Sequence, residues 1–226
     1  MTSQDSPKAA ALRAKLDVRR PALAMAAHNP LAAKLAAEAG FDAVWASGFE
    51  LSASYAVPDA SILPMGTHLE MVRAIGEAQD APVVADIDTG FGNAVNVAYA
   101  VPRYAAAGAA AVVMEDKTFP KDSSLRLGGR QDLVPLGEFQ GKVEAAKAAG
   151  GVLVVARTEA LIAGLGEVGL AIRGNHAIRA AVAPTRNASC RILAEGGTGG
   201  VEGDTASIAE VFALLGDACV RESDRA

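Results

Sequence analysis

The sequence predicts an α/β protein built on parallel strands. Short apolar segments alternate regularly with helix-forming ones, and the strand segments are near-continuous in Val, Ala and Ile, as strands buried on both faces are. A leading alanine-rich helix is expected over residues 8–16, followed by strand PALAMAA and helix NPLAAKLAAEAG, which Gly40 ends. FDAVWAS reads as the second strand. The connection GFELSASYAVPDASILPMG is unusually long, a length that usually marks function, and leads to a helix over 67–79. APVVADID is the third strand, 95–107 its helix, and AAVVMED the fourth strand. KTFPKDSSLRLGGRQDL, rich in proline, glycine and charge, is expected to be exposed and mobile. A helix over 137–149, the strand GVLVVARTEA, a further strand VGLAIRG and a helix over 177–194 complete the reading.

Length and composition bound the partners. With 226 residues and 51% hydrophobic content, one large core and a single domain over 1–226 are expected. The formal charge of −5, six Phe, three Tyr and one Trp, and the absence of a basic block leave no surface suited to nucleic acid. The N-terminal segment lacks a signal peptide's apolar stretch, and no run of about eighteen apolar residues could cross a membrane, so a cytoplasmic protein is expected. Cys190 and Cys219 lie far apart without metal-site spacing and read as small apolar side chains.

Chemistry enters at the strand ends. Asp86 and Asp88 close the third strand, and Glu115 and Asp116 close the fourth. In parallel α/β folds the carboxyl ends of strands share one mouth, so these groups converge although they are distant in sequence. Converging carboxylates repel unless protons or a metal compensate, and an all-oxygen set selects a hard ion such as Mg²⁺ or Mn²⁺. Taken singly, each aspartate also fits the ordinary work of turning a loop or capping the next helix. Periodicity alone does not separate a (β/α)₈ barrel from a doubly wound sheet.

Read together, WASGFELSASYAVPDAS, ADIDTGFGNAVNV, VMEDKTFPKDSSLR and VVARTEALIAGLG resemble the successive signatures of the phosphoenolpyruvate mutase and isocitrate lyase superfamily, and the likeness resumes at IRGNHAIRAAV. The resemblance implies a (β/α)₈ TIM-type barrel. It further implies that Asp86 ligates Mg²⁺ directly while Asp88 and Glu115 hold it mainly through water. Ser47, Gly48 and Phe49 would cradle a substrate carboxylate through backbone N–H groups, with Trp45 alongside. Arg157 would contact a phosphonyl group with its planar fork, and Asp59 would act as a nearby catalytic carboxylate. The resemblance also makes residues 115–131 a mobile active-site lid, on which Lys121, Ser123 and Ser124 would ride, the first two in catalytic roles and Ser124 on the substrate.

The lid sequence EDKTFPKDSSLR separates the reactions of that superfamily. It has no cysteine or histidine, which disfavours the carbon–carbon lyases, and it places a hydroxyl residue, Ser123, where the mutases resembling it carry asparagine. The resemblance therefore implies Mg²⁺-dependent hydrolysis of phosphonopyruvate, a 2-oxo acid phosphonate, with mutase chemistry as the alternative.

One departure stands out. GLG runs directly into EVGLAIRGNHAIRAAV, so about two βα units, at about 30 residues each, are missing and six strands are counted. A compact six-strand form, closure by contacts in a homo-oligomer (dimer or tetramer), and a copy that no longer catalyses each accommodate that loss.

Overall fold

The computed structural model describes residues 6–16, 22–124, 126, 129–160 and the single positions 185, 187, 190, 191, 194, 206 and 210. The chain separates into two compact units, Met1–Ile178 and Arg179–Ala226, and every element named below lies in the first. In order these are α1 (Pro7–Lys15), β1 (Ala24–Ala27), α2 (Pro30–Glu38), β2 (Ala43–Ala46), α3 (Gly48–Ser54), α4 (Met65–Ala78), β3 (Val83–Asp86), α5 (Ala94–Ala106), β4 (Ala109–Glu115), α6 (Leu136–Ala149) and β5 (Leu153–Arg157).

The five strands form one parallel sheet in the order β1-β2-β3-β4-β5. Sequential order without a reversal is the order of a barrel wall, whereas a doubly wound sheet changes direction at a switch point. The fold is the TIM-barrel type, consistent with a shortened barrel. The predicted strand over 168–174 and His176 lie outside the described residues. Within the predicted 177–194 helix, positions 185, 187, 190, 191 and 194 are helical, and Cys190 is a free, exposed cysteine.

Alternation along the strands sorts side chains into two layers. Val44, Ala46, Val83, Ala85, Ala109, Val112 and Met114 pack outward against the helices, with Val72, Ile75, Val97, Val101 and Tyr104. Ala43, Val84, Ala111, Val113 and Leu153 face the other side, where Ala9 and Leu12 of α1 close over them. Following this second alternation to the last residue of each strand leads to Asp86, Glu115 and Arg157, so the rule that builds the inner wall also delivers the polar groups.

One connection differs from expectation. Residues 48–66 do not form a plain loop, because Ser47 accepts the Glu50 N–H at 3.2 Å and starts the seven-residue α3. Ser-Gly-Phe-Glu is the S-x-x-E pattern of a helix start, a signal present in the sequence.

Candidate active site

Backbone stitching at the strand ends draws the carboxylates together. The Ile87 N–H donates to the Val113 carbonyl at 2.9 Å, and the Glu115 N–H donates to the Asp88 carbonyl at 2.8 Å. Between those bonds Asp88 takes a φ of 52°, a left-handed conformation that aspartate tolerates better than most residues. Its N–H then turns back to Asp86 Oδ1 at 3.3 Å, while Trp45 Nε1 donates to Asp86 Oδ2 at 3.3 Å. Trp45 thus supports a carboxylate directly.

Gly48 opens α3 against this group. A Cβ built on it would stand 3.0 Å from Asp88 Oδ1, so glycine allows the backbone its close approach. The expectation that Ser47, Gly48 and Phe49 all offer backbone N–H groups needs one correction. The Ser47 N–H is already donated to the Ala27 carbonyl at 3.3 Å, and its hydroxyl serves as the helix cap. Gly48 and Phe49, in the first turn of α3, retain donors that a helix leaves without internal partners.

The segment over 115–131 arches across the same mouth. Its two legs zip together through the Lys117–Leu133 bridge, the Thr118 N–H to the Asp132 carbonyl at 3.1 Å and the Val134 N–H to the Asp116 carbonyl at 2.8 Å. Buried Lys117 donates to the Asp122 carbonyl and to Gln131 Oε1. Lys121 reaches down, its Nζ 2.5 Å from Asp88 Oδ1 and 2.9 Å from Asp59 Oδ1, while Ser61 Oγ accepts its N–H at 3.2 Å. Asp59 lies in a turn, yet its side chain, 8% exposed, joins the cluster. Ser123 starts the turn closed by the Arg126 N–H at 3.1 Å, and Ser124 donates to Glu159.

Arg157 lies in strand register with Glu115, its Nη1 3.3 Å from Glu115 Oε2 and its Nη2 paired with Glu159 Oε1.

Burial controls the charges. It pushes the Asp88 carboxyl up to about 6 against the pull of Lys121, with Asp86 and Asp59 adding to the rise. Burial likewise lifts Glu115 to about 7, opposed by Lys121 and Arg157. Desolvation works against the Lys121 ammonium, but Asp88, Asp86, Glu115 and Asp59 outweigh it and hold the lysine above its ordinary range. Such a surplus of buried negative charge is suited to a cation.

Among the described residues no three His, Cys, Asp or Glu side chains form a cluster able to hold a metal by themselves. Mg²⁺ does not require such a cage, since it keeps several waters and takes one or two carboxylates. The residues fit that mode: the donors are all oxygen, and Glu115 Oε1 is buried with no partner.

Three buried groups beside the site went unpredicted. Glu159 is 2% exposed and joins Arg157 to Ser124. It lies two residues beyond Arg157, so the alternation that aims Arg157 inward was the signal for it. Glu50, fully buried, has its Oε2 3.3 Å from His28 Nδ1, and His68 Nδ1 meets the Tyr104 hydroxyl at 2.8 Å. Neither contact has a local sequence signature, because the partners are 22 and 36 residues apart.

With this geometry in place, residues 12–192 match the phosphoenolpyruvate phosphomutase family. The chain belongs to that family. It is 48% identical to phosphonopyruvate hydrolase of Variovorax sp. (strain Pal2), with 93% of this chain and 96% of that protein covered. That alignment runs over 277 positions, more than the 226 residues of the chain, so the relative carries segments this member of the family lacks. A crystal structure of phosphonopyruvate hydrolase in complex with oxalate and Mg²⁺ superposes with a TM-score of 0.84 at 45% identity, covering 95% of this chain and 96% of that one. The phosphoenolpyruvate phosphomutase of Streptomyces platensis subsp. rosaceus gives a TM-score of 0.83 at 36% identity, covering 92% and 94%. Among the described residues no helix is long and apolar enough to cross a membrane.

Proposed function

We propose that the chain hydrolyses the C–P bond of phosphonopyruvate, giving pyruvate and phosphate, with Mg²⁺ as cofactor. The observation that carries this reading is the mouth itself: Lys121 seated on Asp59 and Asp88 faces the same carboxylate cluster as the Glu115–Arg157 pair. The likeness to phosphonopyruvate hydrolase, whose crystal structure contains Mg²⁺ and oxalate, supports it.

In this reading Asp86 holds Mg²⁺ directly, and Asp88 and Glu115 hold it through water. When bound, Mg²⁺ supplies Lewis-acid stabilisation of the enolate charge that develops as the C–P bond breaks. The N–H groups of Gly48 and Phe49 orient the substrate carboxylate beside Trp45. Arg157 pairs its fork with the phosphonyl oxygens, and Lys121, kept charged by its carboxylate neighbours, adds a second cation. Ser123 orients the attacking water. The water oxygen forms the new bond to phosphorus, the C–P electron pair passes to the pyruvate enolate, and the proton that water gives up is balanced by the one taken on the methylene carbon, which completes pyruvate. Residues 115–131 act as a lid that excludes other water.

A cytoplasmic location and a homo-oligomeric state, dimer or tetramer, belong to the same proposal, supported by the disulfide-poor composition and by the shortened barrel.

The test is phosphonopyruvate turnover with Mg²⁺ by protein whose folding is verified by circular dichroism. Equal release of inorganic phosphate and pyruvate, abolished in Asp86→Ala, is expected. Conversion to phosphoenolpyruvate without free phosphate assigns mutase chemistry instead, and no turnover by folded protein overturns both.

A further inference from the structure

Glu159 is a buried carboxylate with every polar edge engaged. Its Oε1 pairs with Arg157 Nη2 and its Oε2 accepts from Ser124 Oγ, so one side chain touches both the β5 arginine and the arch over the mouth. Its own backbone is fixed from β4: the Glu159 N–H donates to Asp116 Oδ1 at 2.8 Å, and Thr158 Oγ1 donates to Asp116 Oδ2 at 2.6 Å. Asp116 also accepts the Val134 N–H on its carbonyl, at the far leg of the arch. The guanidinium is thereby gripped from two sides, by Glu115 on its Nη1 and by Glu159 on its Nη2.

We infer that Glu159 is a positioning residue that aims Arg157 at the phosphonyl group and docks the lid onto it through Ser124. A lone arginine beside Glu115 would turn its fork toward that carboxylate. A second carboxylate on the other nitrogen fixes the plane, so an incoming anion meets an oriented donor pair without reorganisation. Because the other Glu159 oxygen holds Ser124, the lid seats in register with the oriented arginine. The aim of Arg157 toward a phosphonyl group rests on the proposed function, whereas the docking of the lid does not.

The experiment therefore has two arms, using the full-length protein. In the first, without metal or substrate, tryptic cleavage after Arg126 and Arg130 is followed by mass spectrometry; the two side chains are 70% and 75% exposed. Ser124→Ala and Glu159→Gln should each speed cleavage by about tenfold, the worth of one hydrogen bond to a buried charged group. The double variant should be no faster than Ser124→Ala, since Glu159→Gln weakens the contact that Ser124→Ala removes. In the second arm, Glu159→Gln should raise the KM for phosphonopyruvate by about tenfold at saturating Mg²⁺ with a smaller change in kcat. Ser124→Ala leaves the buried carboxylate in place, so it carries the lid measurement even where Glu159→Gln fails to fold. Unchanged cleavage in Ser124→Ala, or additive effects in the double variant, overturns the docking role. An unchanged KM in folded Glu159→Gln overturns the positioning role. Absence of turnover by the wild-type protein refutes the proposed reaction and leaves the cleavage arm to be read on its own.

Discussion

Glu115 and Arg157 stand directly opposite each other as registered partners on β4 and β5, Nη1 3.3 Å from Oε2, while the second Glu115 oxygen is buried without a partner. One oxygen is committed to the arginine and the other is left without a hydrogen-bond partner. Arg157→Lys keeps the charge but loses the planar fork, so it cannot serve Glu115, Glu159 and a phosphonyl group together. We expect the KM for phosphonopyruvate to rise about 10- to 100-fold with Mg²⁺ activation little changed, measured by steady-state phosphate release.

Lys121 neutralises two buried carboxylates at once. Lys121→Met leaves Asp59 and Asp88 facing each other without a counter-charge, and breaking such a buried pair costs on the order of 3 kcal/mol. Chemical denaturation of the metal-free variant should show that loss. Turnover should fall by about 100-fold or more, and excess Mg²⁺ should restore part of the stability without restoring turnover.

Gly48→Ala is a test of close approach. Its new methyl group would stand 3.0 Å from Asp88 Oδ1, which Lys121 holds in place, so either the carboxylate or the start of α3 must give way. We expect kcat/KM to drop by about tenfold while stability changes by less than about 1 kcal/mol. An unaffected kcat/KM would show that the approach has no bearing on turnover.

Metal-free stability should decline as pH rises. In the folded chain Asp88 and Glu115 keep their protons up to about 6 and about 7, whereas in the unfolded chain they release them near about 4. The folded state thus binds more protons between those values, so this contribution is complete below about pH 4 and is lost as pH climbs toward about 7. Thermal melts of metal-free protein between these limits check the slope. Glu115→Gln should flatten it, and Mg²⁺ should flatten it in the wild type by supplying the compensating charge.

The sequence carried much of the site because strand ends are local facts. Apolar runs closing on Asp86, Glu115 and Arg157 state which residues reach the mouth, and the alternation behind them states which face they share. α3 was legible in principle, through Ser47 and Glu50, but its helix start competes with the commoner use of Ser-Gly as a turn. The pairing of Lys121 with Asp59 and Asp88 was not legible. Salt bridges between a lid and two separate loops depend on where the chain returns in space, and sequence spacing holds no information about that.

By itself the sequence determined a parallel α/β chain, the acidic strand ends and a hydroxyl-bearing loop after the fourth strand, since periodicity and residue chemistry act over a few neighbours. Only the tertiary structure decided that the strands run in unbroken order, that Ser47 spends its N–H on Ala27, and that Glu159 binds both Arg157 and Ser124. Those outcomes arise from burial: where water is excluded an unpaired charge or donor is costly, and the partner it takes is chosen by proximity in three dimensions.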